Sequence, residues 1–253
     1  MPTEPTGRRP LKTREWPFFK NLAAGLARAG VKPNAISAAS IVCGCCAGAA
    51  LAKTSIVDWN GVPLSPNVSR WLWLAAAVFI QLRLIANLLD GMVAVEGRKG
   101  GPTGELWNEA PDRVSDAAIF IGAGYAAGSA PVLGFAAALV AVFVAYVRAL
   151  GASVGAGQCF LGPMAKPHRM ALMTALAVTG AVFPQAIAHS WTRTLSASEI
   201  ATKLNDALYV HSEDGVAVTL VSVVLGLVIV GGLITAWRRL AFIADFLRKK
   251  SRS

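Results

Sequence analysis

Acidic residues are concentrated in one short part of an otherwise apolar chain. Six of the 14 Asp and Glu residues fall between positions 90 and 116, and several of them belong to apolar helical segments. A carboxylate is costly in such surroundings, and it usually faces a partner group or a water-filled cavity. The concentration therefore predicts a functional site. The six acids are Asp90, Glu96, Glu105, Glu109, Asp112 and Asp116.

The spacing of the polar residues places them on two helix faces. On the first helix, Asn87 and Asp90 share a face, and Arg83 lies one turn earlier. On the second helix, three polar residues follow one another at intervals of four, which also places them on one face. Both helices flank the same loop, so the two faces can meet, and oxygen ligands at this density suit Mg²⁺ or Mn²⁺. The predicted metal ligands are Asn87, Asp90, Asn108, Asp112 and Asp116.

Glycines bracket the loop between these two helices. Gly91 lies near the end of the first helix and Gly104 at the start of the second, with further glycines between them. Because glycine has no side chain, the backbone can approach a ligand closely at these positions. The pattern indicates a nucleotide site beside the metal site.

The composition indicates an integral membrane protein. The 253 residues are 55% hydrophobic and 15% charged, whereas soluble domains carry about 25% charged residues. This balance excludes a disordered chain, a collagen and a disulfide scaffold. The net charge of +10 would suggest nucleic acid as the partner of a soluble protein. In a membrane protein, basic residues mark the cytoplasmic face beside anionic lipid, so no nucleic-acid partner is expected.

The apolar segments predict an all-α, multi-pass membrane protein with six transmembrane helices, since about 20 residues cross a bilayer as a helix. Basic residues near both ends place both termini in the cytoplasm, and a bacterial cytoplasmic membrane is the expected location. The predicted parts are a tail at 1–33, a membrane domain at 34–240 and a basic tail at 241–253. The predicted spans are 34–52, 70–95, 109–128, 131–155, 168–188 and 215–235.

Residues 16–29 are predicted to form an amphipathic helix at the membrane interface. Phe18, Leu22 and Leu26 recur every four residues, while Lys20 and Arg28 lie on other faces. A basic polar face suits anionic headgroups. The alternative is an ordinary cytoplasmic helix that packs on the protein.

The segment from Asp90 to Asp112 resembles the signature of the CDP-alcohol phosphatidyltransferases, D-x2-D-G-x2-A-R-x8-G-x3-D-x3-D. The spacing matches without a gap, and residues 31–37 and 162–170 are also similar to segments of that family. Three positions depart from the signature. Asn87 and Asn108 stand where it has Asp, and Val95 stands where it has Arg.

The resemblance implies a six-helix membrane enzyme, expected as a homodimer. It would transfer a phosphatidyl-type group from a CDP-linked lipid donor, for example CDP-diacylglycerol, to an alcohol such as glycerol 3-phosphate, releasing CMP. The family holds two divalent metals with four aspartates, the last of which is the base. Asp112 matches that base, and Asp116, which is on the correct face, or Glu109 is expected to compensate for the lost charge. The implied nucleotide-binding residues are Gly91, Ala94 and Gly104, with Arg98, Lys99 or Arg113 replacing the missing arginine.

Basic residues around a second cytoplasmic loop are candidates for binding the acceptor. Arg148, Lys166 and Arg169 flank this loop and suit an anionic acceptor such as a polyol phosphate. The alternative is that they are ordinary cytoplasmic charges. Arg148 has the strongest claim, because it lies late in a long apolar span and needs a partner.

Several alternatives remain open at this level. The acid cluster could be a buried ion-pair network that stabilises helix contacts. A cation transporter is compatible with membrane carboxylates, although no inverted repeat is evident. The asparagines also allow a non-catalytic relative. Within the enzyme class, the acceptor could be inositol-type or choline, or a CDP-aminoalcohol could donate to diacylglycerol.

Overall fold

The computed structural model describes residues 15–55, 65–96, 104–184, 187 and 219–251. These residues contain helices and connecting turns but no strand, as the all-α prediction requires. Residues 1–14 of the predicted tail, the loop at 97–103 and the predicted outer segments 56–64 and 189–214 lie outside the described residues. The helices are α1 (Pro17–Arg28), α2 (Pro33–Lys53), α3 (Pro66–Glu96), α4 (Gly104–Gly124), α5 (Pro131–Ser153), α6 (Lys166–Val182) and α7 (Leu220–Lys250).

Prolines in the sequence mark where several helices begin. Pro17, Pro33 and Pro131 each occupy the first helical position, and Pro167 follows the first residue of α6. A proline suits the first turn because its fixed φ is helical and its missing N–H would have no partner there. The element boundaries near residues 33 and 131 therefore agree with the predicted starts of two spans.

Four helices in the described part of the chain are long and apolar enough to cross a membrane. They are Pro33–Lys53, Asn67–Val95, Pro131–Ser153 and Leu220–Lys250. The third and fifth predicted spans correspond to α4, which carries the charged site residues, and to α6, which has 17 residues. Four of the six predicted spans thus meet the criteria of length and hydropathy, and the remaining two stay predictions. The basic tail predicted after residue 240 begins as a continuation of α7 to Lys250.

Close contact between α2 and α4 depends on glycine. A Cβ at Gly44 would lie 2.8 Å from the Cα of Ser115, and a Cβ at Gly48 would overlap the carbonyl group of Ala118. On the other side of α4, a Cβ at Gly124 would lie 2.7 Å from the Cα of Gly134 in α5. Small residues let helix backbones approach to this extent in a membrane. Gly44 and Gly48 are therefore used for packing within the chain.

Helix α1 lies against α3 and exposes large apolar side chains. Its inner face carries Phe19 and the fully buried Ala23, which pack near Leu89 and Val93 of α3. Phe18 is 68% exposed, and Leu22 and Trp16 are exposed as well. The helix therefore packs on the protein and also presents an apolar edge, a combination that suits the boundary of a bilayer. The interfacial location itself stays a prediction.

Helix α2 packs against both α3 and α4, which hold the acid cluster. Ser40 in α2 donates from Oγ to the carbonyl of Arg83 in α3 at 3.4 Å, and Ser115 in α4 donates to the carbonyl of Ser40 at 3.3 Å. The core next to this contact contains Leu51, Ile80, Ile119 and Phe120, all fully buried. The polar faces of α3 and α4 are thus fixed relative to each other through a third helix.

Replacement of Gly48 by Ala is expected to destabilise the protein, because the added Cβ would overlap the backbone of Ala118. Overpacking of this kind costs about 1–3 kcal/mol, which for a chain of this size lowers the unfolding midpoint by about 2–12 °C. Gly226→Ala in α7 is the matched control, since a Cβ there meets nothing within 4 Å. Thermal unfolding of the two purified variants in detergent measures the difference. Equal midpoints would contradict the close α2–α4 contact.

Candidate functional site

Three aspartates from two helices are buried at the centre of the site. Asp90 in α3 is 5% exposed, and Asp112 and Asp116 in α4 are 4% and 1% exposed. Buried carboxylates at this depth need paired charges or strong hydrogen-bond donors. The predicted face of α4 therefore does point inwards, together with the predicted face of α3.

Arg83 joins the two acids of α4. Its side chain is fully buried, and its Nη2 donates to Asp116 Oδ1 at 2.6 Å and to Asp112 Oδ1 at 3.0 Å. The same nitrogen lies 3.4 Å from the carbonyl oxygen of Asp112. Nε and Nη1 of Arg83 have no hydrogen-bond partner among the described residues. Arg83 thus pairs with Asp112 and Asp116 and links α3 to α4.

Asp116 is neutralised by a second arginine. Arg169 in α6 is 2% exposed, and its Nη2 donates to Asp116 Oδ2 at 3.2 Å. Both carboxylate oxygens of Asp116 are therefore engaged by guanidinium groups. A metal ion bound at Asp116 would have to share an oxygen with an arginine or replace it, and the metal role of Asp116 stays a prediction.

Asp112 contacts side chains of two other helices, α3 and α6, and one side chain of its own helix. Its Oδ1 receives Arg83, its Oδ2 forms an ion pair with Lys166 of α6, and Arg113 Nη2 lies 3.8 Å from Oδ2. With its amide oriented to satisfy its neighbours, Asn87 donates from Nδ2 to Asp112 Oδ1 at 2.8 Å and accepts from Lys166 Nζ at 3.0 Å. Three residues with different predicted roles thus meet at one point. They are the metal ligand Asn87, the base Asp112 and the acceptor-binding residue Lys166.

Asp90 lies beside this group and keeps one oxygen free. Its Oδ2 accepts from Ser37 Oγ at 2.8 Å, whereas its buried Oδ1 has no hydrogen-bond partner among the described residues. Ser37 belongs to the first part of α2, and no residue-level prediction included it. The similarity of residues 31–37 to a family segment was the signal that could have indicated it. A buried carboxylate oxygen without a partner is the expected mark of a cation or donor group that binds there.

The other residues predicted to contact the nucleotide or the acceptor are Gly91, Ala94, Arg98, Gly104, Arg113 and Arg148. Gly91 and Ala94 lie half-buried after Asp90 on α3, and a Cβ at Gly104 would meet nothing within 4 Å. Glu109 forms ion pairs with Arg113, at 3.2 Å, and with Arg148. Arg98 and the side chain of Asn108 lie outside the described residues. The role of each of these residues stays a prediction.

Three residues of the site carry oxygen atoms that suit a divalent metal. Within the described part of the chain, no three His, Cys, Asp or Glu side chains are arranged to hold a metal ion. The free oxygen of Asp90, the carboxylate of Asp112 and the amide oxygen of Asn87 nevertheless provide hard oxygen donors of the kind that Mg²⁺ and Mn²⁺ use. These residues fit a cation site of reduced charge.

Comparison with known proteins supports the fold. No family model matches the chain, and no curated protein sequence matches it. The fold is similar to that of phosphatidylinositol phosphate synthase from Mycobacterium tuberculosis solved with CDP-DAG bound, with a TM-score of 0.61 and 18% identity over 89% of this chain and 92% of that one. The same synthase in complex with manganese and citrate gives 0.61 and 18% over 89% and 88%, and its apo form gives 0.58 and 18% over 88% and 94%. Structural similarity at this level of identity shows a shared fold.

Asp116→Asn is expected to destabilise the protein by about 3–5 kcal/mol, because two buried arginines would lose their shared counter-charge. Glu109→Gln is a matched control on the same helix, since Glu109 also pairs with two basic side chains but is 45% exposed. Its loss should cost at most about 1 kcal/mol. The measurement is the unfolding midpoint of each purified variant in detergent. A shift of the same size in both variants would show that the buried network contributes no more than a surface pair.

Proposed function

We propose that this chain is a membrane phospholipid-synthesis enzyme of the CDP-alcohol phosphatidyltransferase type. It transfers a substituted phosphate group from a CDP-linked lipid donor to an alcohol and releases CMP. The observation that carries the proposal is the position of Asp112, at the place of the signature's last aspartate and in contact with Asn87 and Lys166. The similarity in fold to a synthase solved with CDP-DAG supports the choice of donor.

Asp112 is the proposed base for the acceptor hydroxyl. In the transfer, the acceptor oxygen forms a bond to the donor phosphorus, the bond between phosphorus and the CMP oxygen breaks, and the hydroxyl proton passes to an Asp112 oxygen. Arg83 and Asn87 engage Oδ1 and thereby hold the carboxylate in one orientation, and Oδ2, which pairs with the partly exposed Lys166, is the proposed proton acceptor once Lys166 moves away. Arg83 and Asn87 are positioning residues in this scheme.

A divalent cation, Mg²⁺ or Mn²⁺, is proposed as the cofactor. The residues that would hold it are Asp90, through its free Oδ1, together with Asp112 and Asn87; Asn108 and Asp116 complete the set predicted from the sequence. When bound, such an ion would neutralise charge on the pyrophosphate of the donor. The structurally similar synthase that was solved in complex with manganese and citrate supports a divalent metal in this fold.

The donor is proposed to enter along the α3–α4 side. Gly91 and Ala94 on α3, and Gly104 at the start of α4, leave the backbone accessible beside Asp90. Arg113 is 23% exposed and Arg98 lies in the adjacent loop segment of the sequence, so both are proposed phosphate partners in place of the arginine that Val95 replaces.

The acceptor is proposed to be a phosphorylated alcohol. Arg148 and Lys166 are 22% and 21% exposed, which leaves their charges accessible to an anion, whereas Arg169 is almost completely buried against Asp116. Arg169 is therefore proposed to act by holding Asp116. Glycerol 3-phosphate is one such acceptor. An inositol phosphate is the second candidate, because the structurally similar protein is a phosphatidylinositol phosphate synthase. Choline as the acceptor, or a CDP-aminoalcohol donor with diacylglycerol as the acceptor, suits these basic residues less well, because neither acceptor carries a phosphate.

The protein is proposed to work in the bacterial cytoplasmic membrane, as a six-span homodimer with both termini in the cytoplasm. The four long apolar helices support the membrane location. The lipid-facing surface is supported by exposed side chains such as Leu139, Trp71 and Trp237. A lipid donor and a polar acceptor can both reach a site that lies near the membrane boundary.

The direct test supplies purified protein with CDP-diacylglycerol, Mg²⁺ or Mn²⁺, and a panel of labelled alcohols, and measures CMP and the lipid products. Formation of CMP together with one labelled lipid identifies the acceptor. Absence of CMP with every alcohol and with CDP-aminoalcohol plus diacylglycerol would contradict the proposal. Cation movement across sealed vesicles without any nucleotide would then indicate a transporter.

Asp112→Asn is expected to lower CMP release by about 100-fold or more, because general-base catalysis contributes about 10²–10⁴-fold. Asparagine has nearly the same shape as aspartate, and Arg83 keeps its contact with Asp116. Asp245→Asn is the control, since Asp245 is exposed near the end of α7 and pairs with Lys249 in a surface contact. Turnover in Asp112→Asn equal to that of the control would exclude Asp112 as the base.

A further inference from the structure

Lys166 reaches the centre of the site from the first residue of α6. Its Nζ forms an ion pair with Asp112 Oδ2 and lies 3.0 Å from the amide oxygen of Asn87. Both oxygens belong to residues predicted to bind a metal ion. The ammonium group therefore lies between two hard oxygen donors, as a metal ion bound by the same residues would.

Basic side chains compensate two of the three aspartates of the site. Arg83, Lys166 and Arg169 form ion pairs with Asp112 and Asp116, and Arg113 Nη2 lies 3.8 Å from Asp112 Oδ2. The signature carries Asp where this chain has Asn87 and Asn108, so this site has two fewer negative charges for a dication. A single ammonium charge suits the lower charge of the site better than a dication does, since neutral amide ligands bind a dication less strongly.

The pairing between Lys166 and Asp112 differs from the other ion pairs of the site. Arg83 and Arg169 are almost fully buried, whereas the Lys166 side chain is 21% exposed and belongs to a flexible four-carbon chain. Its ammonium is thus carried by a flexible chain, unlike the planar guanidinium groups of the two buried arginines. Asp90 Oδ1, which has no hydrogen-bond partner among the described residues, would be a third oxygen for an ion that takes its place.

We propose that the Lys166 ammonium occupies a cation position of this site, and that a divalent metal ion must displace it in order to bind Asn87 and Asp112. The inference rests on the cation site of the proposed function. It adds that the Lys166 ammonium competes with the metal ion for this site. Lys166 then has two states, one bound to Asp112 and one released towards solvent, where an anionic acceptor can reach it.

Mn²⁺ binding to the purified full-length protein, followed by electron paramagnetic resonance without lipid or nucleotide, tests the proposal. Lys166→Met should bind Mn²⁺ about tenfold or more tightly than the unaltered protein, an effect of the size that groups around a metal site produce. Lys166→Arg, which keeps a cation at this position, should bind Mn²⁺ as weakly as the unaltered protein does. Lys166→Gln serves as a second neutral variant if Lys166→Met does not fold.

Arg113→Met is the matched control for general electrostatics. Arg113 is 23% exposed and also lies near Asp112, at 3.8 Å, but it does not contact Asn87. Its loss should change Mn²⁺ affinity by less than about threefold, as for a partly screened surface charge. Equal gains in Lys166→Met and Arg113→Met would overturn the proposal, as would an absence of Mn²⁺ binding in all the neutral variants.

Chemical labelling of the unaltered protein gives a second measurement that needs no variant. If Mn²⁺ displaces Lys166, acetylation of its amine, measured by mass spectrometry, should increase as Mn²⁺ is added. Unchanged or reduced acetylation would contradict displacement.

Neither measurement involves lipid transfer. Tighter Mn²⁺ binding in a protein that transfers no lipid would refute the proposed function alone, and transfer activity with no effect of Lys166 on Mn²⁺ binding would refute this inference alone.

Discussion

The burial of Arg83 between Asp112 and Asp116 is the interaction on which the rest of the structure depends. A guanidinium group with no exposed surface costs several kcal/mol unless carboxylates compensate its charge. Two carboxylates one turn apart on α4 meet this requirement only if α3 and α4 keep one relative position. The positions of Asn87 and Asp90 follow, since they continue the same helix as Arg83 by one and two turns.

Close packing by glycine makes this arrangement possible. Gly44 and Gly48 allow α2 to contact α4 through backbone atoms, and the serines of α2 hydrogen-bond to both neighbours. The resulting core is apolar on the side of Leu51 and Phe120 and charged on the side of Asp112. One group of three helices therefore holds both an apolar core and the charged cluster.

The two asparagines change the electrostatics of the site more than its shape. Asn87 still contacts Asp112, at 2.8 Å, so the amide keeps the place that a carboxylate ligand would have. Lys166 belongs to the same ion network, in which Arg83 and Arg169 also pair with the aspartates of α4. The ion-pair alternative and the catalytic interpretation are thus compatible, because the same pairs that stabilise the helices hold Asp112 in place.

The sequence by itself determined the helical class, four long apolar helices and the two polar faces that carry Asp90 and Asp112, because these features follow from hydropathy and helical periodicity. It did not determine the partners of the basic residues. Arg169 and Lys166 lie more than 50 positions from the aspartates that they contact. No local spacing relates α6 to α4, and their charges alone fit a cytoplasmic surface equally well. Only the tertiary structure decided that Arg169 is buried against Asp116 and that Lys166 lies between Asn87 and Asp112, because buried charges must be paired and helix packing selects the pairs.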